Sequence, residues 1–237
     1  MNDLFVRSVT FKWDEVPRDS YLHDISPIRN LSSLVFSKNV TFFVGENGTG
    51  KSTLLEAIAV AFGFNAEGGT INYHFSTFDD VSSLGKSLRL VKGVRRPSSG
   101  YFFRAETFFN VATANKMLYD GYVDYHSNSH GEGFLSFMEG FDRPGLYLID
   151  EPEAALSQQR QLALLRHIHA LAKNGSQFLI ATHSPILLGL PGAEILSFDG
   201  DKLTSCAYEE TASYRLTKLF LEHKELILNE LLKEDEP

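Results

Sequence analysis

Val40-Thr41-Phe42-Phe43-Val44-Gly45-Glu46-Asn47-Gly48-Thr49-Gly50-Lys51-Ser52 runs a short apolar stretch into a glycine-rich loop that ends in Lys-Ser. The apolar, helix-forming stretch Thr53-Leu54-Leu55-Glu56-Ala57-Ile58-Ala59 follows at once. Strand, loop and helix in that order is the context a phosphate-binding loop requires. Gly45, Gly48 and Gly50 let the backbone wrap closely around an anion. Successive N–H groups and the positive end of the helix then face it. Lys51 is placed to reach the β- and γ-phosphates of a nucleotide, and the Ser52 hydroxyl to ligate Mg²⁺. Glu46, Asn47, Thr49 and Thr53 belong to the same nucleotide-binding stretch. The competing reading, a glycine turn before a helix, has to explain how Gly45, Gly48, Gly50, Lys51 and Ser52 all stand in place.

Two downstream segments carry matching chemistry. Leu146-Tyr147-Leu148-Ile149 reads as a strand apolar on both faces, as parallel strands tend to be, and Asp150-Glu151 follows it directly. A carboxylate at the end of such a strand, beside a phosphate loop, holds Mg²⁺ through Ser52 or water, which assigns Asp150 to the metal. Glu151 is placed to orient or deprotonate an attacking water, since consecutive strand residues point to opposite sides. The alternative is a pair of acids that opens a turn before Pro152. The apolar strand Gln177–Ala181 is followed by Thr182-His183-Ser184-Pro185. A histidine at the carboxyl end of a strand in an open sheet lies on the ligand side, so His183 is a candidate to contact the γ-phosphate or the attacking water. The same four residues also read as a helix cap, with Ser184 as N-cap and Pro185 as first helical residue; both readings are compatible.

The rest of the chain builds a frame around these segments. Leu4–Trp13, Leu34–Phe36 and Val40–Val44 read as strands, with 14–30 irregular. A helix is expected over Lys51–Phe62 and a glycine-rich break over Gly63–Thr70. Strands are expected near Ser87–Val91 and Tyr101–Arg104, a helix from about Thr107, a polar loop over Asp120–His130 and a short helix over Gly131–Glu139. Ala154–Lys173 reads as a helix ended by Gly175, with Leu164, Ile168 and Leu171 along one stripe. Ile195–Phe198 and Leu203–Ala207 read as a hairpin around Asp199-Gly200-Asp201. Tyr214–Leu232 reads as one amphipathic helix, with Leu216, Leu219, Phe220, His223 and Ile227 on the side that packs on the core. Alternating strands and helices predict an α/β fold with a mainly parallel sheet.

Bulk properties narrow the class. A chain of 237 residues suits one large domain or a domain with a smaller lobe. No apolar run is long enough for a membrane span, and the first residues do not read as a secretory signal, so a cytoplasmic location is expected. The single Cys206 excludes an internal disulfide and a cysteine-based zinc site. The net charge of −8 argues against a surface that attracts nucleic acid overall.

With these motifs assembled, the chain resembles the ABC-type ATPases, a group that includes transporter motor domains, RecF and the SMC proteins. Gly45–Ser52 is similar to their Walker A motif, Leu146–Glu151 to Walker B with its catalytic glutamate, Ala155-Leu156-Ser157 to the D-loop and His183 to the switch histidine. The four motifs stand in the family's order from Val40 to Pro185. Within the group the chain most resembles small bacterial single-domain ATPases that carry an AAA label although their motifs are ABC-like. The resemblance implies a P-loop NTPase fold with N-terminal antiparallel strands and a helical signature lobe over roughly residues 65–140, all within one domain, 1–237. It implies ATP and Mg²⁺ as ligands, catalysis by Lys51, Glu151 and His183, and an ATP-dependent homodimer in which each γ-phosphate meets the partner's signature loop. That loop departs from the family's Leu-Ser-Gly-Gly-Gln: the candidate is Asn128-Ser129-His130-Gly131-Glu132-Gly133, where Ser129 and Gly131 fit the pattern. A polar glycine-rich loop is the alternative there.

Other features are less specific. The family's glutamine loop has no match in its usual form; Arg104 or Glu106 stands nearest, with a salt-bridged strand end as the alternative. Phe11, Trp13 and Tyr21 are available for adenine stacking, and each type is more often core. Lys86, Arg89, Lys92, Arg95 and Arg96 form an acid-free basic segment, which leaves room for a DNA or protein partner, although a solvated face reads equally from a charge run. The functional reading is an ATP-driven dimerising switch in DNA repair or defence. The alternatives are the ATP-binding motor subunit of a membrane transporter, a RecF-like DNA-associated ATPase and, least favoured, a nucleotide kinase. A long SMC-type arm is excluded by the short separation of Lys51 and Ser129 and the absence of heptads.

Overall fold

The computed structural model describes residues 4–71, 84–104, 140–141 and 143–233. In chain order the strands are β1 (Val6–Phe11), β2 (Ser33–Val35), β3 (Val40–Val44), β4 (Gly69–Thr70), β5 (Leu88–Lys92), β6 (Ser99–Arg104), β7 (Gly145–Asp150), β8 (Gln177–Ala181), β9 (Glu194–Ser197) and β10 (Thr204–Ser205). The helices among the described residues are α1 (Ser26–Arg29), α2 (Lys51–Phe62), α3 (Leu84–Ser87), α4 (Gln158–Lys173), α5 (Pro185–Leu188), α6 (Ala212–Glu222) and α7 (Lys224–Leu231).

The strands form two sheets. The larger has the order β10-β9-β3-β8-β7-β6-β4. Its five inner strands run parallel, and the antiparallel β10 and β4 close its edges. The smaller sheet, β2-β1-β5, is antiparallel throughout. A mainly parallel α/β sheet with N-terminal antiparallel strands is the architecture the sequence predicts. The signature lobe expected over 65–140 falls mostly on residues 72–83 and 105–139, outside the described ones, as do the helix near Thr107 and the short helix over Gly131–Glu139.

Burial explains why the central strands are apolar throughout. Every residue of β3, β7 and β8 is buried, because helices and a second sheet cover both faces. On one face Phe43, Phe102, Leu148 and Leu179 pack with Leu54 and Ile58 of α2, with Val9 of the small sheet and with Phe5 just before it. On the other Phe42, Tyr147, Phe178 and Ile180 pack with Leu164 and Ile168 of α4 and with Leu187 and Leu188 of α5. One polar side chain joins the two sheets: buried Gln177 accepts from Val6 N and donates to Val6 O, each at 2.9 Å.

Two expectations are corrected. The helix expected from Ala154 begins at Gln158. A 3₁₀ turn over Pro152–Ala154 comes first, and Ser157 is extended at φ −62°, ψ 159°, before the helix starts. The single helix expected over Tyr214–Leu232 is two helices, parted at His223 with φ −129°, ψ 33°. It does not pack on the core: no residue of α6 or α7 is buried, and Leu216 is 69% and Leu219 50% exposed. Both faces of the large sheet are already covered, so the apolar stripe has no core left to join.

Candidate active site

The parallel register brings three loops to one end of the sheet. Phe43 and Asp150 both lie opposite Ala181, on either side of β8. Thr182 N donates to Phe43 O at 3.2 Å and Glu151 N to Ala181 O at 2.9 Å. The loops after β3, β7 and β8 therefore leave the sheet side by side at its carboxyl edge, where open α/β sheets bind ligands.

The glycine loop adopts the conformation its composition predicts. Gly45, Gly48 and Gly50 have φ of 143°, 81° and 97°, values that side chains with a Cβ adopt only under strain. Gly50 is also sterically bound: a Cβ there would lie 2.7 Å from Ile28 and 2.9 Å from Ile25. Lys51 opens α2 and is 3% exposed. Its Nζ donates to Gly45 O and Glu46 O, each at 2.8 Å, so the ammonium curls back into its own loop. Burial pushes the Lys51 pKa below its ordinary value, against the opposing pull of Glu151, Asp150, Asp199 and Glu153.

Ser52, one residue on, donates from Oγ to Asp150 Oδ1 at 2.9 Å, across 98 positions of sequence. Asp150 is 7% exposed. A hydroxyl and a carboxylate held side by side, both hard oxygen donors, fit Mg²⁺, which takes few protein ligands and keeps several waters. Thr53 follows in the first turn of α2.

Glu151 is the one non-glycine residue with positive φ among the described residues, at φ 48°, ψ 55°. Left-handed backbone costs an ordinary residue about 1–2 kcal/mol, and such strain gathers at functional sites. The kink turns the chain off the strand line, so Glu151 leaves the direction that Asp150 keeps. Glu151 Oε1 lies 3.8 Å from His183 Nε2. That is too long for a direct hydrogen bond and short enough for one bridging oxygen. His183 Nε2 is itself enclosed and without a hydrogen-bond partner.

Two residues not anticipated from sequence complete the arrangement. Glu153 accepts from Thr182 Oγ1 at 2.7 Å and from the His183 backbone N–H, so it ties the turn after β7 to the turn after β8. Asp199 Oδ1 accepts from Glu46 N at 3.0 Å, and Ser197 Oγ donates to its other oxygen at 3.2 Å, which anchors the mouth of the glycine loop. The cap predicted at Ser184 is present: Ser184 Oγ accepts from Ile186 N and Leu187 N, each at 3.2 Å.

Arg104 is the salt-bridged strand end weighed from sequence. Its NH1 donates to Glu56 Oε2 at 2.8 Å, while its Nε faces Asp150 Oδ2 at 3.9 Å. Phe11 and Trp13 are structural: the rings stack at 6.3 Å, Trp13 packs against the core and its Nε1 donates to Leu31 O at 3.0 Å. Tyr21 is 54% exposed. The fold thus brings together Gly45 to Thr53, Asp150, Glu151 and His183. Ser129, Gly131 and Glu106 lie outside the described residues.

Residues 21–92 match a family model described as "AAA domain". Residues 118–189 match a second, described as "AAA domain, putative AbiEii toxin, Type IV TA system". The first match contains the glycine loop and the second contains Asp150, Glu151 and His183. No curated protein matches the chain. Among solved structures, the chain is similar to an SMC head domain from Thermotoga maritima, at 16% identity and TM-score 0.44 over 86% of this chain and 98% of that one. It is also similar to an ATP-binding cassette of an ABC transporter in its ADP conformation, at 16% identity and TM-score 0.39 over 85% and 91% of the two chains. A third similar structure is an SMC head bound to the C-winged helix domain of ScpA, at 14% identity and TM-score 0.43 over 75% and 93%.

Proposed function

We propose that this chain, whose residues 21–92 and 118–189 match AAA-domain family models, is an ABC-type P-loop ATPase of the RecF- and SMC-like class that binds and hydrolyses ATP and works as an ATP-driven dimerising switch. One observation carries the reading: the Ser52–Asp150 contact at 2.9 Å and the Glu151–His183 approach at 3.8 Å lie at the same edge of one sheet. That arrangement has a metal-holding pair on one side and a base with its orienting group on the other.

The residues divide the work as follows. The backbone amides from Gly45 to Lys51 hold the triphosphate, and Lys51 exchanges its carbonyl partners for phosphate oxygens. Ser52 and Asp150 would hold Mg²⁺, which would supply positive charge against the charge that develops on the phosphates. Glu151 takes a proton from the attacking water. His183 orients that water or the γ-phosphate. The described residues supply donors on one side of the γ-phosphate; a second copy supplies the other through its Ser129–Gly131 loop. Until it does, the cage is incomplete and hydrolysis is slow.

Glu151→Gln separates binding from chemistry. The variant is expected to bind Mg-ATP as the native chain does and to lose hydrolysis by at least about 100-fold, the scale of a general base. It is also expected to accumulate as a dimer in size-exclusion chromatography with Mg-ATP. Hydrolysis at the native rate would falsify the assignment of Glu151.

A further inference from the structure

The helices α6 and α7, with Leu232 directly after them, hold seven of the twelve large apolar residues exposed among the described ones. We propose that they form one limb of an interface with a second copy of this chain, continuous with the nucleotide site. The inference rests on the dimerising switch proposed above.

The helix pair is anchored at one end only. Thr211, buried, caps α6 by accepting from Tyr214 N. Tyr214 packs against Tyr208 with ring centroids 4.7 Å apart, and Tyr208 Oη donates to Pro185 O at 2.8 Å. Beyond that turn nothing is buried. Leu216, Leu219 and Phe220 recur at i, i+3 and i+4 and so share one face of α6. Helices of 11 and 8 residues are too short to hold their shape in water without packing. An amphipathic pair of that length, left open, points to a partner surface.

Its position indicates which partner. A cavity of about 340 Å³ is lined by Gly45, Glu46, His183 and Asp199 on one side and by Ser213 and Leu216 of α6 on the other. The apolar stripe therefore starts at the rim of the phosphate loop. A molecule lying on α6 also lies across His183, where the second copy has to arrive if it is to complete the γ-phosphate cage.

Area and charge favour a second copy in that place. A leucine-sized side chain presents on the order of 60–120 Å² of apolar surface. Seven such residues, 37% to 74% exposed, present roughly 300–500 Å². That resembles an interaction patch but falls short of the ~800 Å² per partner of a stable interface. The limb alone does not hold a dimer, and the nucleotide face supplies the remainder, which makes closure depend on ATP. The chain carries −8 overall, whereas residues 212–233 hold four cations and three acids. This is a face on which two acidic copies meet without repulsion, in a twofold arrangement that pairs each patch with itself.

The test is light scattering on the full chain in Mg-ATP, with Glu151→Gln as the parent so that the nucleotide stays intact, comparing that parent with the same chain carrying Leu219→Glu and Leu226→Glu. Both positions are at least half exposed, so the fold, followed by circular dichroism, is expected to hold. The variant is expected to weaken the dimer at least ~100-fold, the scale of losing a central contact cluster. Binding of a fluorescent ATP analogue by dilute protomers is expected to stay within about twofold. Should the glutamates disturb the helix, Leu219→Gln with Leu226→Gln keeps helix propensity and is read the same way. A variant that dimerises like its parent overturns the proposal, and the face then serves a different partner or none. A parent chain that stays monomeric with Mg-ATP overturns the switch beneath it. A nucleotide-independent dimer that the variant abolishes supports the limb and removes only its dependence on ATP.

Discussion

Glu153 shows how much of this site rests on a side chain with no part in the chemistry. Its carboxylate accepts from Thr182 Oγ1 and from the His183 backbone N–H, and Thr182 Oγ1 in turn accepts from Ser184 N at 3.0 Å. The turn that presents His183 is therefore fastened to the turn that presents Glu151. A hydrogen bond to a charged group contributes about 1.5–3 kcal/mol. An amide at this position retains one acceptor oxygen but turns an NH₂ donor toward one of two groups that each donate to the carboxylate. Glu153→Gln is thus expected to lower kcat about tenfold, the effect of some 1.4 kcal/mol, with little change in the KM for ATP, because the phosphate loop is untouched. Partial recovery in Glu153→Asp, with thermal stability equal in the two variants, would mark a positioning role. A kcat equal to that of the native enzyme in Glu153→Gln would remove it. Gly50 is the complementary case, where a side chain is excluded. With φ at 97° and Ile25 and Ile28 within 2.9 Å of a Cβ, Gly50→Ala is expected to destabilise the protein by about 1–3 kcal/mol, read as a lower urea midpoint.

At the level of elements, the two sheets meet through apolar packing and one polar side chain. Gln177 at the start of β8 satisfies both the N–H and the C=O of Val6 in β1. Those backbone groups are buried, and a lost partner costs about 1–3 kcal/mol per group. Gln177→Leu is therefore expected to destabilise the protein by about 2–4 kcal/mol, measured by urea unfolding. Hydrogen exchange is expected to quicken first in β1 and β5. If the loss is below about 0.5 kcal/mol, the small sheet is held by its apolar packing, Phe5, Val9, Phe11 and Leu88 among it. Sequence and structure can be compared well at this scale. Apolar runs such as Phe42-Phe43-Val44 and Leu146 to Ile149 are buried on both faces, so their strands were legible without any partner. Gln177 reads simply as a polar residue at a strand start, and only the pairing of sheets reveals what it does. The start of α4 was misplaced because a proline-led 3₁₀ turn continues the helical periodicity without the helix.

Over the whole molecule, charge is unevenly spread. Arg89, Lys92, Arg95 and Arg96 lie exposed on or just after β5, and two of them have aromatic support. Lys92 Nζ sits 4.3 Å from the Phe62 ring and Arg95 is 6.0 Å from that of Phe5. Lys92 Nζ also donates to Phe62 O at 3.1 Å, so the charged heads of these two exposed cations rest on the fold. Arg95→Glu with Arg96→Glu is expected to reduce any stimulation of the ATPase by DNA at low salt, with the DNA-free rate unchanged. A native rate that ignores DNA closes this branch of the function. The local chain, read alone, determined the glycine loop, the two acids after Ile149, the histidine after Thr182 and the parallel sheet behind them. Each depends on contacts within a few residues or on apolar runs buried whatever their neighbours. Tertiary structure decided the rest: that Ser52 meets Asp150, that Asp199 and Glu153 brace the site, and that the last two helices stay open. Those outcomes depend on which strand lies beside which and on how much of each sheet face is already covered. Both are set by the packing of distant segments and leave no mark on local periodicity.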